Sequence, residues 1–181
     1  MQSMRFLSAA FLITGMVVFG SGARSADFFQ IKGSDIQYVT AEPVPEAKAS
    51  TASPAHVILK FRVGEGYHVN SNRPRSDLLI PTQLKLNAPS GITVPRIVYP
   101  EGKDFSLSFS PGESLSVYSG EFAIQAILKP LPAQPAGSYR VQGELAYQAC
   151  SDRACFPPKK LPVSFEVMVL KQQVKSTASA K

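Results

Sequence analysis

The sequence predicts an all-β protein, an immunoglobulin-like antiparallel β-sandwich, and three observations carry that expectation. Apolar and polar residues alternate over several segments, the period of a strand with one buried face. Turn signals built on Gly and Pro separate those segments at short spacing. Fifteen prolines in 181 residues leave little room for long helices, and no run of helical period competes.

Taken in chain order, Arg5 precedes an apolar run from Phe6 to Phe19 and then small residues, the layout of a secretory signal peptide. The run is short for a membrane span, which takes about 18 or more apolar residues. Ser21-Gly22-Ala23 and Ala26 offer cleavage sites, and an uncleaved anchor is the competing reading. No cysteine directly follows the run, which argues against a lipoprotein anchor. Residues 1–26 are therefore expected to be a signal peptide. The mature protein is expected to be periplasmic or secreted, with no stable membrane insertion after cleavage.

The roughly 155 residues that remain suit one domain with a proper core, expected over 27–170. HVILKFRV at 56–63 puts Val57, Leu59, Phe61 and Val63 on one face and Lys60 and Arg62 on the other. TQLKLNA repeats the period with Leu84 and Leu86, and EFAIQAIL with Phe122, Ile124, Ala126 and Leu128. SYRVQGELAYQ does so with Tyr139, Val141, Leu145 and Tyr147, and LPVSFEVMVL with Val163, Phe165, Val167 and Val169. Shorter strands are expected at Asp35 to Thr40, Thr93 to Tyr99 and Leu115 to Tyr118, making about eight. Gly64-Glu65-Gly66, Pro89-Ser90-Gly91, Pro100-Glu101-Gly102 and Pro111-Gly112 mark turns. Ala41 to Pro54 reads as a polar connection, and residues 171–181 as a disordered tail.

The formal charge of +6 is spread thinly, with no basic cluster or interleaved aromatics, which argues against nucleic acid as a partner. Two histidines far apart and two neighbouring cysteines do not make a zinc site. No nucleophile elbow, phosphate-binding glycine loop or paired-carboxylate spacing marks another active site. No metal or cofactor is expected.

The chemistry lies in YQACSDRACFPP at 147–158, which holds the only two cysteines, Cys150 and Cys155. In an exported chain the two are expected to meet as a disulfide at rest. Opposed across a hairpin, their Cα atoms would come within the roughly 4.4 to 6.8 Å that a bridge requires. A loop of about six residues contributes only about 2 kcal/mol on the loop-entropy account, against nearly 5 for a loop of about 100. Opening such a bridge costs the fold little. Arg153, Lys159 and Lys160 favour a thiolate and Asp152 opposes it. Pro157 and Pro158 stop strand pairing beyond Cys155. These residues leave two readings open, a pair that exchanges and a structural hairpin staple.

YQACSDRACFPP also resembles the cysteine segment of the family of N-terminal periplasmic domains of the disulfide reductase DsbD. GYHVNSNRP at 66–74, LIPTQLKL at 79–86, YPEGKDF at 99–105 and VYSGEF at 117–122 resemble the segments that accompany it, covering most of Asp35 to Leu170. The resemblance implies an immunoglobulin-like sandwich that passes electrons to exported thiol-disulfide proteins. Its partners would be a thioredoxin-like or membrane disulfide reductase on one side and exported thiol-disulfide clients on the other. Because the chain stops soon after the sandwich, it is expected to act as a stand-alone thiol-disulfide interchange component.

On that resemblance Cys150 and Cys155 are the redox pair, with the mixed disulfide forming through Cys155. Tyr147 is the aromatic before the first cysteine, and residues near His68 and Asn70 line the pair. A cap over Lys103 to Ser110 shields it with Phe105 or Phe109. Four residues separate the cysteines here, where some members have five. Tyr67, Tyr147, Phe105 and Phe109 either form a sheltered pocket or serve as core, and His68 either tunes the thiols or packs. The competing function is a non-catalytic sandwich that binds another exported protein, its bridge stiffening a contact hairpin. A further alternative is a fusion partner whose electron-supplying domain became a separate chain.

Overall fold

The computed structural model describes residues 36–106 and 114–171. The expected signal peptide, the tail beyond Lys171 and Phe109 of the expected cap lie outside the described residues. Among the described residues there is no helix, and twelve strands build three sheets.

The first sheet orders β1 (Val39–Ala41), β3 (Ala55–Val63), β9 (Glu121–Pro130) and β6 (Ile92–Val98) as β1-β3-β9-β6. The second orders β2 (Ala47–Ala49), β12 (Lys159–Val169), β10 (Gly137–Tyr147) and β5 (Gln83–Asn87) as β2-β12-β10-β5. Inward residues of both sheets join in one core cluster, which makes the protein an immunoglobulin-like β-sandwich. In β3 burial alternates without a break, so Val57, Leu59, Phe61 and Val63 are inside as their period predicts. Phe122, Ile124, Ala126 and Leu128 of β9 lie opposite them as register partners or near neighbours. Val141, Leu145 and Tyr147 of β10 and Val163, Phe165, Val167 and Val169 of β12 supply the other face. Each fully buried aliphatic or Phe side chain contributes on the order of 1.5–3 kcal/mol. Leu86 and Tyr139, expected inside, are only partly buried and pack against the rim of the core.

Two expectations need correction. Ala41 to Pro54 is not merely a connection, because Ala47–Ala49 forms β2 along the end of β12. That short pairing is parallel, while the other strand pairings among the described residues are antiparallel, as the fold class predicts. There are also more strands than the eight expected. Besides β2, the additional ones are β4 (His68–Asn70), β7 (Lys103–Ser106) and β11 (Ala149–Cys150), which join β8 (Ser114–Tyr118) in a third sheet ordered β11-β4-β8-β7. This sheet grows from both faces of the sandwich: β3 runs through a turn into β4, β8 turns at Ser119-Gly120 into β9, and β10 passes through Gln148 into β11.

Prolines fall where a missing N–H does least harm. Pro95 lies on the edge strand β6, where the pairing with β9 shifts register between Thr93 and Arg96. Pro162 lies on β12 outside the part paired with β2. Gly143 is fixed by close approach, since a Cβ there would lie 2.2 Å from the Lys85 carbonyl oxygen of β5. That neighbour is backbone and cannot swing aside. Gly143→Ala is therefore expected to destabilise the fold by about 1–3 kcal/mol by forcing β5 from β10. Urea denaturation would read the loss as a lower midpoint, and an unchanged midpoint would contradict this account.

Candidate functional site

β10 ends at Tyr147, β11 carries Ala149 and Cys150, and the chain turns through Ser151, Asp152, Arg153 and Ala154 to return at Cys155. Ser151 N–H donates to the Ala154 carbonyl at 2.8 Å, and Phe156 N–H donates to the Ala149 carbonyl at 2.8 Å. These two bonds flank Cys150 and Cys155, which face each other as an antiparallel bridge. The cysteines thus occupy a non-hydrogen-bonded site, where opposed Cα atoms come closest. A disulfide joins them with the Cα atoms 4.0 Å apart, nearer than the 4.4 Å lower bound expected from the sequence. Ser151 builds the turn, its Oγ accepting from the Arg153 and Ala154 N–H groups, each at 3.3 Å. Gln148 Nε2 donates to the Phe156 carbonyl at 3.2 Å and braces the outgoing arm. Pro157 and Pro158 follow and lack N–H donors.

The two cysteines differ sharply in access. Cys150 is 1% exposed, whereas Cys155 is an exposed residue. Cys150 is buried because β11 pairs with β4, placing it opposite His68, with Ala149 opposite Val69.

The expected site residues gather here to different degrees. His68 is buried directly across the strand pair from Cys150, and its ring centroid lies 4.3 Å from that of Phe105. Of the expected cap, then, Phe105 reaches the site from β7, while Phe109 is not described. Asn70, fully buried on β4, donates from Nδ2 to the Ile80 carbonyl at 3.0 Å, and its backbone carbonyl accepts from Thr82 Oγ1 at 2.6 Å. It therefore ties the loop after β4 to the third sheet. Tyr147 is buried in the core, and its burial pushes the phenol pKa up, partly offset by the Val39 backbone. Tyr67 lies edge-on to Tyr38 and Phe156, at 4.9 and 5.8 Å between centroids.

Sequence reasoning missed Tyr38 and Phe156, whose rings stack at 4.8 Å. An aromatic directly after Cys155 was the available signal for Phe156; nothing local marks Tyr38 as its partner. The cations also sit differently from expectation. Lys160 Nζ pairs with Glu144 at 2.8 Å, and Lys159 Nζ donates to the Ile36 carbonyl at 2.7 Å, 5.3 Å from the Tyr38 ring centroid. Arg75 pairs with Asp104, linking the loop after β4 to β7.

Burial holds the His68 pKa below its ordinary value, and the Asp152 carboxylate pulls it partly back. The neutral imidazole is thus the favoured form in the fold. Below the ordinary histidine pKa of about 6.5, the unfolded chain takes up a proton that the folded chain resists. Stability is expected to fall as pH drops below about 6.5, levelling once pH is under the folded value. Imidazole NMR should show His68 titrating below 6.5, and lower still in Asp152→Asn. An upward move in that variant would contradict the assigned cause.

Residues 37–166 match the family described as Thiol:disulfide interchange protein DsbD, N-terminal. Among solved structures, the chain is similar to the N-terminal periplasmic domain of ScsB from Proteus mirabilis, at 15% identity and a TM-score of 0.47. That similarity covers 70% of this chain and 44% of the ScsB chain, so the protein spans under half the length of that structure. It is also similar to the Neisseria meningitidis DsbD n-terminal domain in the reduced form, at 18% identity and a TM-score of 0.36, covering 68% of this chain and 88% of that one. No curated protein matches the chain. The family match takes in both cysteines and all the strands except the last residues of β12, and the chain belongs to the family of DsbD N-terminal domains.

Proposed function

We propose that this protein is an exported thiol-disulfide exchange domain that carries reducing equivalents between a membrane or thioredoxin-like reductase and extracytoplasmic clients through Cys150 and Cys155. The observation that carries this reading is the unequal exposure of the pair, Cys155 open and Cys150 buried. Exchange proceeds by thiolate attack on one sulfur with departure of the other. Access supports Cys155 as the sulfur attacked and Cys150 as the leaving group.

A donor thiolate attacks Cys155 Sγ, the bond to Cys150 breaks, and its electron pair leaves on Cys150. The donor's second thiol then attacks the donor sulfur of the mixed disulfide, forming the donor's own disulfide and releasing Cys155 as thiolate. The reduced pair delivers the same two electrons by the reverse sequence. Cys155 attacks a client disulfide, and Cys150 resolves the mixed disulfide, restoring the bridge. Family membership supports exchange as the class of chemistry. The hairpin supports its reversibility: flanking backbone bonds keep the arms paired, and opening a loop this short costs only about 2 kcal/mol.

In this reading Phe105, packed on the His68 ring, is the shield, and Tyr67, beside Phe156, and the buried Tyr147 and Asn70 are the supporting residues. The apolar run at Phe6 to Phe19 and the disulfide itself support an extracytoplasmic location, periplasmic or secreted. No helix among the described residues is long and apolar enough to cross a membrane.

Redox titration of the purified protein in graded thiol buffers tests the proposal. A potential between roughly −120 and −270 mV is expected, with the fold intact when reduced. A potential below about −300 mV, or unfolding on reduction, would leave the stapled binding module as the better account. Cys150→Ser is expected to accumulate mixed disulfides through Cys155, and Cys155→Ser none, on non-reducing gels. Phe105→Ala is expected to speed attack by small thiols several-fold if the ring shields the bridge, with no change if it does not.

A further inference from the structure

Attack at Cys155 expels negative charge into a buried place. Cys150 is 1% exposed, and a thiolate there lacks the water that would ordinarily stabilise it. Something preorganised must take the place of that water, or the leaving group would hold back the reaction.

The residue in position is His68. It is the cross-strand partner of Cys150, so both side chains project from neighbouring positions on one face, where Cβ atoms lie about 4.5–5.5 Å apart. It is itself 2% exposed, and its Nε2 is buried with no hydrogen-bond partner among the described residues. A buried polar atom left unpaired is costly in a native fold and calls for a reason. The Phe105 ring packs against the imidazole, with the two ring centroids 4.3 Å apart.

We propose that His68, as the neutral tautomer protonated on Nε2, is a catalytic residue of the exchange and donates a hydrogen bond to the Cys150 thiolate as the disulfide opens. This deepens the exchange reading above and rests on it. No proton is transferred: the S–S bond between the cysteines breaks, its electron pair stays on Cys150 Sγ, and the N–H turns from idle to engaged. An interaction absent in the resting disulfide and present as charge develops lowers the barrier itself and does not merely strengthen binding. The low local dielectric beneath Phe105 strengthens such a bond. Burial supports the neutral ring, which has this N–H to give without adding a charge. Asp152 is the charged group that acts on the imidazole, and its carboxylate opposes a nearby thiolate, so the donor works against it. Asp104, on the strand that carries Phe105, is paired with Arg75.

The experiment compares His68→Leu and His68→Gln with the native residue, in the full protein, using dithiothreitol as the attacking thiol. Glutamine places an N–H where Nε2 stands, and leucine does not. His68→Leu is expected to slow reduction of the bridge by about 10- to 100-fold, the value of a hydrogen bond to a charged group. His68→Gln should recover much of that loss. In a Cys155→Ser background, where Cys150 is the sole thiol, thiolate absorbance should titrate at least about one pH unit higher with leucine at 68 and return toward native with glutamine. That readout is equilibrium ionisation and stands even if His68→Leu alters the folding rate. Equal rates and titrations across the three residues would overturn the proposal, as would a glutamine variant as impaired as leucine. Because dithiothreitol needs no biological partner, these results can be read whether or not the protein proves to be a carrier. A potential below about −300 mV with a working His68 donor would sink the carrier function alone.

Discussion

Two backbone hydrogen bonds, from Ser151 to Ala154 and from Phe156 to Ala149, hold Cys150 and Cys155 face to face through contacts other than the S–S bond. The rest of the site depends on that constraint. The disulfide is laid across an antiparallel pair that already exists, so it does not have to create the approach it spans. A bridge that created its own approach would release its arms on reduction and lose the geometry for closing again.

The hairpin in turn depends on what feeds it. β10 and β12 pair over eleven positions, from Gly137 with Val169 to Tyr147 with Lys159, and the cysteine segment is the continuation that joins their ends. One arm leaves β10, and the other leads through two prolines into β12. On the inner side β4, arriving from the opposite sheet, pairs with β11 and buries Cys150. On the outer side Cys155 remains exposed. The asymmetry of the two sulfurs is therefore a result of topology: the third sheet takes strands from both halves of the sandwich, and only one arm of the hairpin meets it.

That topology marks how far the sequence could be read. β3, β9, β10 and β12 were legible because each is long and has one buried face, so burial imposes a period of two. β4 and β11 were not, since HVN and AC are buried at every position and too short to show a period. β2 was hidden for another reason: AKA pairs parallel with β12 through a contact distant in sequence, inside a stretch whose composition reads as linker. The cysteine pair was plain from composition. His68 could be singled out by residue type, but its place opposite Cys150 is a matter of register between distant segments. Tyr38 stacking on Phe156 is likewise a tertiary fact, with a local hint on one side only.

The proline and register shift in β6 also bear on how these molecules treat one another. A sandwich has open margins, and an unpaired strand with a regular row of N–H and C=O groups invites a neighbour's strand to add to it. β6 forms one such margin, and there Pro95 removes a donor while the irregularity between Thr93 and Arg96 disturbs the spacing of the remaining groups. A second molecule therefore meets a broken template at this edge. A margin that discourages self-addition leaves each chain apart from its own copies.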